Sequence, residues 1–198
     1  MSIFGFLIAP FGVQQLTAQS KIGLSQYNYL DKGGFNHVMP AIHYESVSGW
    51  NGEGRYNYEA QNSLAFFAGK NFSGHRGVQW SLVPKAGAIV GGFTGGAVGI
   101  TATLERHRVF LYTEPEFAVA SSRRNQNFFY NWAEAGYNIG KRIFAGVAAQ
   151  QTIEGGSTVL EKGLMAGVQT KNFRFPIYFF QPFDQQQYFI LGVSWEWQ

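Results

Sequence analysis

The chain has 198 residues, of which only 14% are charged, whereas 17% are aromatic and 25 are glycine. A soluble domain usually carries about 25–35% charged residues on its surface, and disordered chains combine high charge with few aromatics. The composition therefore excludes a disordered chain and favours a single folded domain whose surroundings are not simply water. The absence of cysteine excludes disulfides, thiolate zinc sites and cysteine nucleophiles.

The N-terminal segment has the composition of an export signal. Residues 1–19 contain no Asp, Glu, Lys or Arg, and their apolar core runs from Ile3 to Val13. That core is too short to span a bilayer. We predict a signal peptide over 1–19, a periplasmic segment over 20–36 and a barrel over 37–198. An N-terminal strand or buried segment is the alternative for the first of these.

Apolar and polar residues alternate with period two along the rest of the chain, which is typical of strands. In the last segment Phe189, Leu191 and Val193 share one face, whereas Ser194 and Glu196 share the other. We predict ten strands separated by glycine-rich and charged turns. They cover 37–46, 55–68, 78–91, 95–104, 109–120, 127–139, 143–153, 159–170, 173–181 and 188–197.

Strands of this length joined by short turns match the tilted strands of membrane barrels. The predicted fold is all-β, an antiparallel up-and-down transmembrane β-barrel of about ten strands, with eight or twelve as alternatives. Ten strands predict a narrow, largely packed lumen. They also put turns 69–77, 105–108, 140–142 and 171–172 at the periplasmic end. Loops 47–54, 92–94, 121–126, 154–158 and 182–187 then face outward.

The polar face of these strands consists of Gly, Ser, Asn, Gln and scattered Glu, with almost no Lys. Because water-facing strands usually carry many Lys and Glu, we place this face in the lumen and the apolar face toward lipid. Aromatic residues near the strand ends match the girdles at membrane interfaces. These are Tyr56, Trp80, Phe117, Phe173, Trp195 and Trp197. A soluble lipocalin-like binder of an apolar ligand is the alternative.

Four prolines count against both kinds of barrel, because proline cannot donate to a strand ladder. They lie inside predicted strands, at Pro40, Pro84, Pro115 and Pro176.

The chain resembles small bacterial outer-membrane β-barrel proteins of an uncharacterised type. Its last strand, Tyr188 to Trp197, is similar to their C-terminal assembly signal, although Gln198 follows the closing aromatic. Arg55 to Glu59 and Trp132 to Glu134 also resemble segments of such barrels. The resemblance implies an outer-membrane location in a Gram-negative bacterium. It further implies contact with membrane lipid or lipopolysaccharide, and with the assembly machinery through the last strand.

Seven ionisable side chains on the predicted inward face form the candidate site, which we interpret as a polar network in the lumen. They are His43, Glu45, Glu59, Lys85, Glu114, Glu116 and Glu134. Buried charges need counter-charges, and Arg55, Arg108, Arg142 and Arg174 lie near strand ends, within reach of the lumen. Ion conduction and acid–base catalysis are the alternatives to a structural network.

These features predict an integral outer-membrane barrel with a structural, lipid-interacting or narrow-pore role. A rim enzyme acting on lipid or lipopolysaccharide is the alternative, since a histidine beside a carboxylate, as at His43 and Glu45, can serve as an oriented general base. No serine is marked as its nucleophile, because Ser63 and Ser81 have no feature beyond facing inward. No catalytic residue and no cofactor is assigned. No metal site is assigned either, because the four histidines are dispersed. The basic turns 106–108 and 123–124 lack the interleaved aromatics of a nucleic-acid site and are solvated turns or lipid-headgroup contacts. The oligomeric state is not indicated.

Overall fold

The computed structural model describes residues 19–31, 34–122 and 127–197, without the side chains of residues 35 and 36. The predicted signal peptide, the basic turn 123–124 and Gln198 lie essentially outside this part. Within it the strands are β1 Lys21–Asp31, β2 Gly34–Glu45, β3 Trp50–Tyr56, β4 Ser63–Lys70, β5 Phe72–His75, β6 Gln79–Gly91, β7 Gly95–Arg106, β8 Val109–Ala120, β9 Phe128–Ile139, β10 Ile143–Glu154, β11 Ser157–Gln169, β12 Phe173–Phe180 and β13 Tyr188–Trp197. In the described part of the chain we find no helical segment that could span a bilayer.

The strands form one closed, antiparallel, up-and-down barrel. Apart from β4 and β5, which do not pair with each other, each strand pairs with its neighbours in the chain, and β1 pairs with β13 from Ile22↔Trp197 to Leu30↔Phe189. The two short strands β4 and β5 pair with successive parts of β6 and so occupy a single position. The all-β barrel predicted from the sequence is confirmed, with twelve strand positions and one extra short strand rather than about ten.

Two differences account for the strand number. The segment 20–36, expected to be periplasmic, contains β1 and the start of β2. The predicted strand 55–68 is divided by a turn over 57–62, where Asn57 and Asn62 have φ angles of 63° and 56°. Asparagine tolerates this left-handed region, and the Asn57 side-chain oxygen accepts the Asn62 N–H at 2.7 Å.

The two faces of the barrel wall differ as predicted. Outward aliphatic side chains such as Leu82, Leu111 and Leu164 are 39–52% exposed, whereas the inward Glu114 is 3% exposed. The predicted girdle residues Trp80, Phe117, Phe173 and Trp197 are also exposed. An exposed apolar outer face around a polar centre is the arrangement of a membrane barrel, so the lipocalin-like alternative is wrong.

The lumen holds more aromatic side chains than the sequence analysis expected. Two clusters of buried side chains fill it: one includes Tyr27, Tyr112, Trp132, Tyr178 and Phe180, and the other Phe67, Phe93 and Phe128. Twelve strands enclose a wider space than ten, and these rings occupy much of it. Glycines make room in the wall: a Cβ at Gly167 would collide with the Phe144 ring.

The prolines are accommodated without opening the barrel. Pro84 lies opposite Ile100 in the β6–β7 ladder. The β7–β8 ladder runs to Gly99↔Glu116 and resumes at Ala102↔Thr113, so Pro115 lies in a short gap between paired segments. A gap of this kind spares proline the hydrogen bond that it cannot donate.

The connections divide the barrel into two ends. One end holds the start of β1 and the end of β13, and we call it the terminal end. Its turns cover 46–49, 76–78, 107–108, 140–142 and 170–172. The opposite end, the loop end, has the connections over 57–62, 92–94, 155–156 and 181–187, together with the end of β8 and the start of β9. The expectation that 47–54 faces outward, opposite 69–77, is wrong, because the Asn71 N–H donates to the Gly49 carbonyl at 2.8 Å.

Membrane barrels place short turns in the periplasm and longer loops outside, which predicts that the loop end faces outward. Single-cysteine variants test this, because the chain has no cysteine. We expect an impermeant maleimide to label Asp184→Cys in intact cells, and Ser48→Cys and Lys141→Cys only after lysis. If only the two terminal-end variants were labelled in intact cells, the terminal end would face outward and the predicted orientation would be wrong. Labelling of Ser48→Cys but not Lys141→Cys would contradict the grouping of the turns.

Candidate functional site

Four charged side chains from three strands meet inside the barrel and form what we call the ion layer: Glu53, Arg55, Lys85 and Glu114. Arg55 Nη2 lies 2.8 Å from Glu53 Oε2 and also contacts Glu114 Oε1. Lys85 Nζ contacts the same Glu114 oxygen and lies 3.4 Å from Glu53. All four side chains are at most 5% exposed. Buried charges need partners of opposite sign, and each of the four has at least one within the layer.

Aromatic residues hold the ion layer in place. The Phe67 ring lies 4.9 Å from Arg55 Cζ and 5.0 Å from Lys85 Nζ, which is the geometry of a cation–π contact. On the other side the Tyr112 hydroxyl donates to Glu114 Oε2. These contacts connect the ion layer to both aromatic clusters of the lumen, so its side chains have little freedom to move separately.

Two further carboxylates approach the ion layer from the loop end. Glu59 Oε1 lies 3.3 Å and Glu116 Oε2 lies 3.5 Å from the same atom, Arg55 Nη1. The two side chains are 2% and 4% exposed. Arg55 and Lys85 already face two carboxylates in the layer, so Glu59 and Glu116 bring an excess of formal negative charge.

A second cluster lies across the lumen around Glu134. Glu134 Oε1 accepts the Trp132 indole N–H at 2.9 Å and the Tyr178 hydroxyl at 2.7 Å. Arg174 Nη2 lies 3.4 Å from Glu134 Oε2, and Arg174 Cζ lies 4.3 Å from the Phe144 ring centroid. The donors of this second cluster satisfy both Glu134 oxygens, which favours a structural role for Glu134.

Two cavities meet at the ion layer. The larger, which we call the vestibule, has a volume of about 460 Å³ and lies at the loop end. Its lining includes Tyr29, Tyr58, Glu59, Glu116, Tyr130 and Gln150. The smaller, which we call the chamber, has a volume of about 50 Å³ and lies at the terminal end. Arg55 and Glu114 border the vestibule, whereas Glu53 and Lys85 border the chamber.

The seven candidate residues lie in three places. Four gather around Arg55: Glu59, Lys85, Glu114 and Glu116. Glu134 belongs to the second cluster, and His43 and Glu45 line the chamber. Of the four arginines considered as counter-charges, Arg55 and Arg174 reach the lumen, whereas Arg108 and Arg142 lie exposed in turns.

The chamber also holds three of the four residues considered for a rim enzyme, His43, Glu45 and Ser81, whereas Ser63 lies near the loop end. Asn71 Nδ2 donates to both Glu45 oxygens at 3.0 and 3.1 Å, and the Ser81 hydroxyl donates to Asn71 Oδ1 at 3.1 Å. The Ser63 hydroxyl accepts the Phe93 N–H. A serine activated by histidine donates its hydroxyl to the imidazole, and Ser81 donates instead to an amide oxygen.

Two participants were missed by the sequence analysis. Glu53 falls in the predicted loop 47–54. Tyr58 lies two residues after Tyr56 in the predicted strand 55–68, so strict alternation would put it on the lipid face with Tyr56. The signal for Glu53 is its spacing of two from Arg55, which puts both on one face of a strand.

The outer wall carries a separate apolar groove, which lies on the membrane side. One row of paired outward residues crosses it: Ala102, Thr113, Ala133, Ala149 and Lys162. Small side chains in the row are flanked by Leu111 and Leu164, and the exposed Phe183 borders one end. The contact with membrane lipid expected from the sequence stays a prediction.

Solved structures with a similar fold are small porins. The KdgM porin in complex with disordered oligogalacturonate has a TM-score of 0.58 at 10% identity, with 90% of this chain and 99% of that chain covered. The NanC porin has a TM-score of 0.57 at 8% identity, with 89% and 99% covered. No protein-family profile and no curated protein sequence matches the chain.

Such low identity shows the fold alone. That fold, together with the apolar outer face, is that of a small porin-like β-barrel of the bacterial outer membrane. The class and the location predicted from the sequence are therefore confirmed.

Proposed function

We propose that this barrel is a narrow channel for small solutes that favours cations over anions. The proposal depends mainly on the shared position of the ion layer, which borders the vestibule on one side and the chamber on the other. A solute moving from one cavity to the other passes these four charged side chains. Rearrangement of their ion pairs is then the step that limits passage.

The charges near the ion layer support the preference for cations. Arg55 and Lys85 face four carboxylates, from Glu53, Glu59, Glu114 and Glu116. Carboxylate rings favour cations in channels. An acidic saccharide, such as the oligogalacturonate in the KdgM complex, would meet this excess of negative charge at the vestibule floor. We therefore propose that the solute of this channel is not an anion.

Conductance in planar lipid bilayers tests the channel. We expect small single-channel currents for the natural protein and a reversal potential that indicates cation preference. The double variant Arg55→Ala/Glu114→Ala removes one charge of each sign and two large side chains from the ion layer. Its conductance should rise several-fold, while Leu111→Ala on the outer wall should leave it unchanged.

Two results would contradict the proposal. One is the absence of channel currents from both the natural protein and the double variant when each shows the gel mobility of a folded barrel. The other is equal conductance in the natural protein and the double variant, which would place the limiting step away from the ion layer.

A further inference from the structure

We infer that the vestibule binds an organic ammonium ion, with Glu59 as its anionic partner and aromatic rings as its walls. This inference rests on the proposed channel and names the class of solute that enters it. Three independent features lead to it: a buried carboxylate oxygen without a partner, aromatic side chains around it, and a cavity of suitable size.

The carboxylate of Glu59 is only half satisfied. Its Oε1 accepts a hydrogen bond from Arg55 Nη1 at 3.3 Å, whereas its Oε2 is buried and has no hydrogen-bond partner. Glu116 approaches the same guanidinium nitrogen, so neither carboxylate has a cation of its own. A buried carboxylate in this position is stabilised by an additional cation, and an ammonium group supplies three N–H donors for its free oxygen.

Aromatic rings surround the two carboxylates. Tyr58 and Tyr130 line the vestibule together with Phe93 and Phe128. Arg55 Cζ already lies 5.5 Å from the centroid of the Tyr58 ring, which shows that this ring accepts a cation on its face. Carboxylates combined with aromatic faces recognise alkylammonium groups through charge and cation–π attraction. Inorganic cations gain less from such walls, because their hydration shells keep them away from the rings.

The size and support of the vestibule suit a small organic ligand. Its volume of about 460 Å³ falls in the usual range of about 300–1,000 Å³ for small-molecule sites. The turn that carries Glu59 is anchored, because Asn57 Nδ2 donates to the Val38 carbonyl at 3.1 Å and the Asn57 N–H donates to the Ser63 carbonyl at 2.9 Å. The carboxylate is thus held in place before a ligand arrives.

Calorimetric titration of the full chain in detergent micelles tests the inference without measuring transport. The probes are n-butylammonium, n-butanol and butyrate, which each contain four carbon atoms and differ in charge. We expect saturable binding of n-butylammonium alone. Glu59→Gln should weaken it about tenfold or more. Glu45→Gln removes the same charge from the chamber and should change it little.

A second variant tests the aromatic wall and covers the case in which Glu59→Gln fails to fold. Tyr58→Leu should weaken n-butylammonium binding while leaving the carboxylates in place. Equal binding of n-butylammonium by the natural protein and both vestibule variants would overturn the inference, as would equal competition by potassium ions at the same concentration. Binding without channel currents would instead contradict the proposed channel, and currents without binding would contradict only the inference.

Discussion

Replacing Arg55 with leucine is expected to destabilise the folded barrel by about 3–5 kcal/mol, because it leaves buried carboxylates without their shared cation. Arg55 contacts Glu53, Glu59, Glu114 and Glu116, and its side chain is 5% exposed. Lys85 remains, but it contacts only two of these groups. Urea unfolding in detergent micelles or lipid vesicles, followed by gel mobility and tryptophan fluorescence, measures the effect.

Two further variants separate this effect from a general loss of positive charge. Arg108→Leu removes the same charge from an exposed turn and should change stability by less than about 0.5 kcal/mol. The double variant Arg55→Leu/Glu114→Leu should be less unstable than the sum of its two single variants, because the single changes each leave an unmatched charge. If Arg55→Leu were no worse than Arg108→Leu, the ion layer would contribute nothing to stability.

The inside and outside of the wall were predictable because they depend on strand periodicity. Along β8, Tyr112, Glu114 and Glu116 alternate with outward residues such as Leu111 and Phe117, and a period of two fixes both faces at once. The low number of lysines then decided which face meets lipid. These two local signals needed no knowledge of how distant strands pair.

The strand number and the partners in the lumen were not predictable in the same way. Asn57 and Asn62 enclose a turn of even length, so the alternation resumes in phase at Ser63 and hides the interruption. The contact of Arg55 with Glu114 joins β3 to β8, which are neighbours only across the closed lumen. Side chains as large as Trp132 and Tyr178 fit inside because twelve strands leave room for them, and that width follows from the strand number.

Replacing Ile100 with arginine is expected to destabilise the inserted barrel by about 2–4 kcal/mol, because a charge at mid-depth on the lipid face loses its hydration. Ile100 lies at the centre of β7 and is 41% exposed on the outer wall. Val109→Arg is the matched control. Val109 is 49% exposed at the start of β8, and its pairing partner is Arg106.

An arginine is therefore already present at the level of Val109, and a second one should cost only about 0–1 kcal/mol there. Both variants replace a β-branched side chain on the same face, so depth in the membrane is the main difference between them. Reversible unfolding from lipid vesicles gives the two free energies directly. Equal effects of the two substitutions would mean that the outer wall does not cross a membrane at the level of Ile100. A larger effect at Val109 would place the apolar core of the bilayer nearer the terminal end.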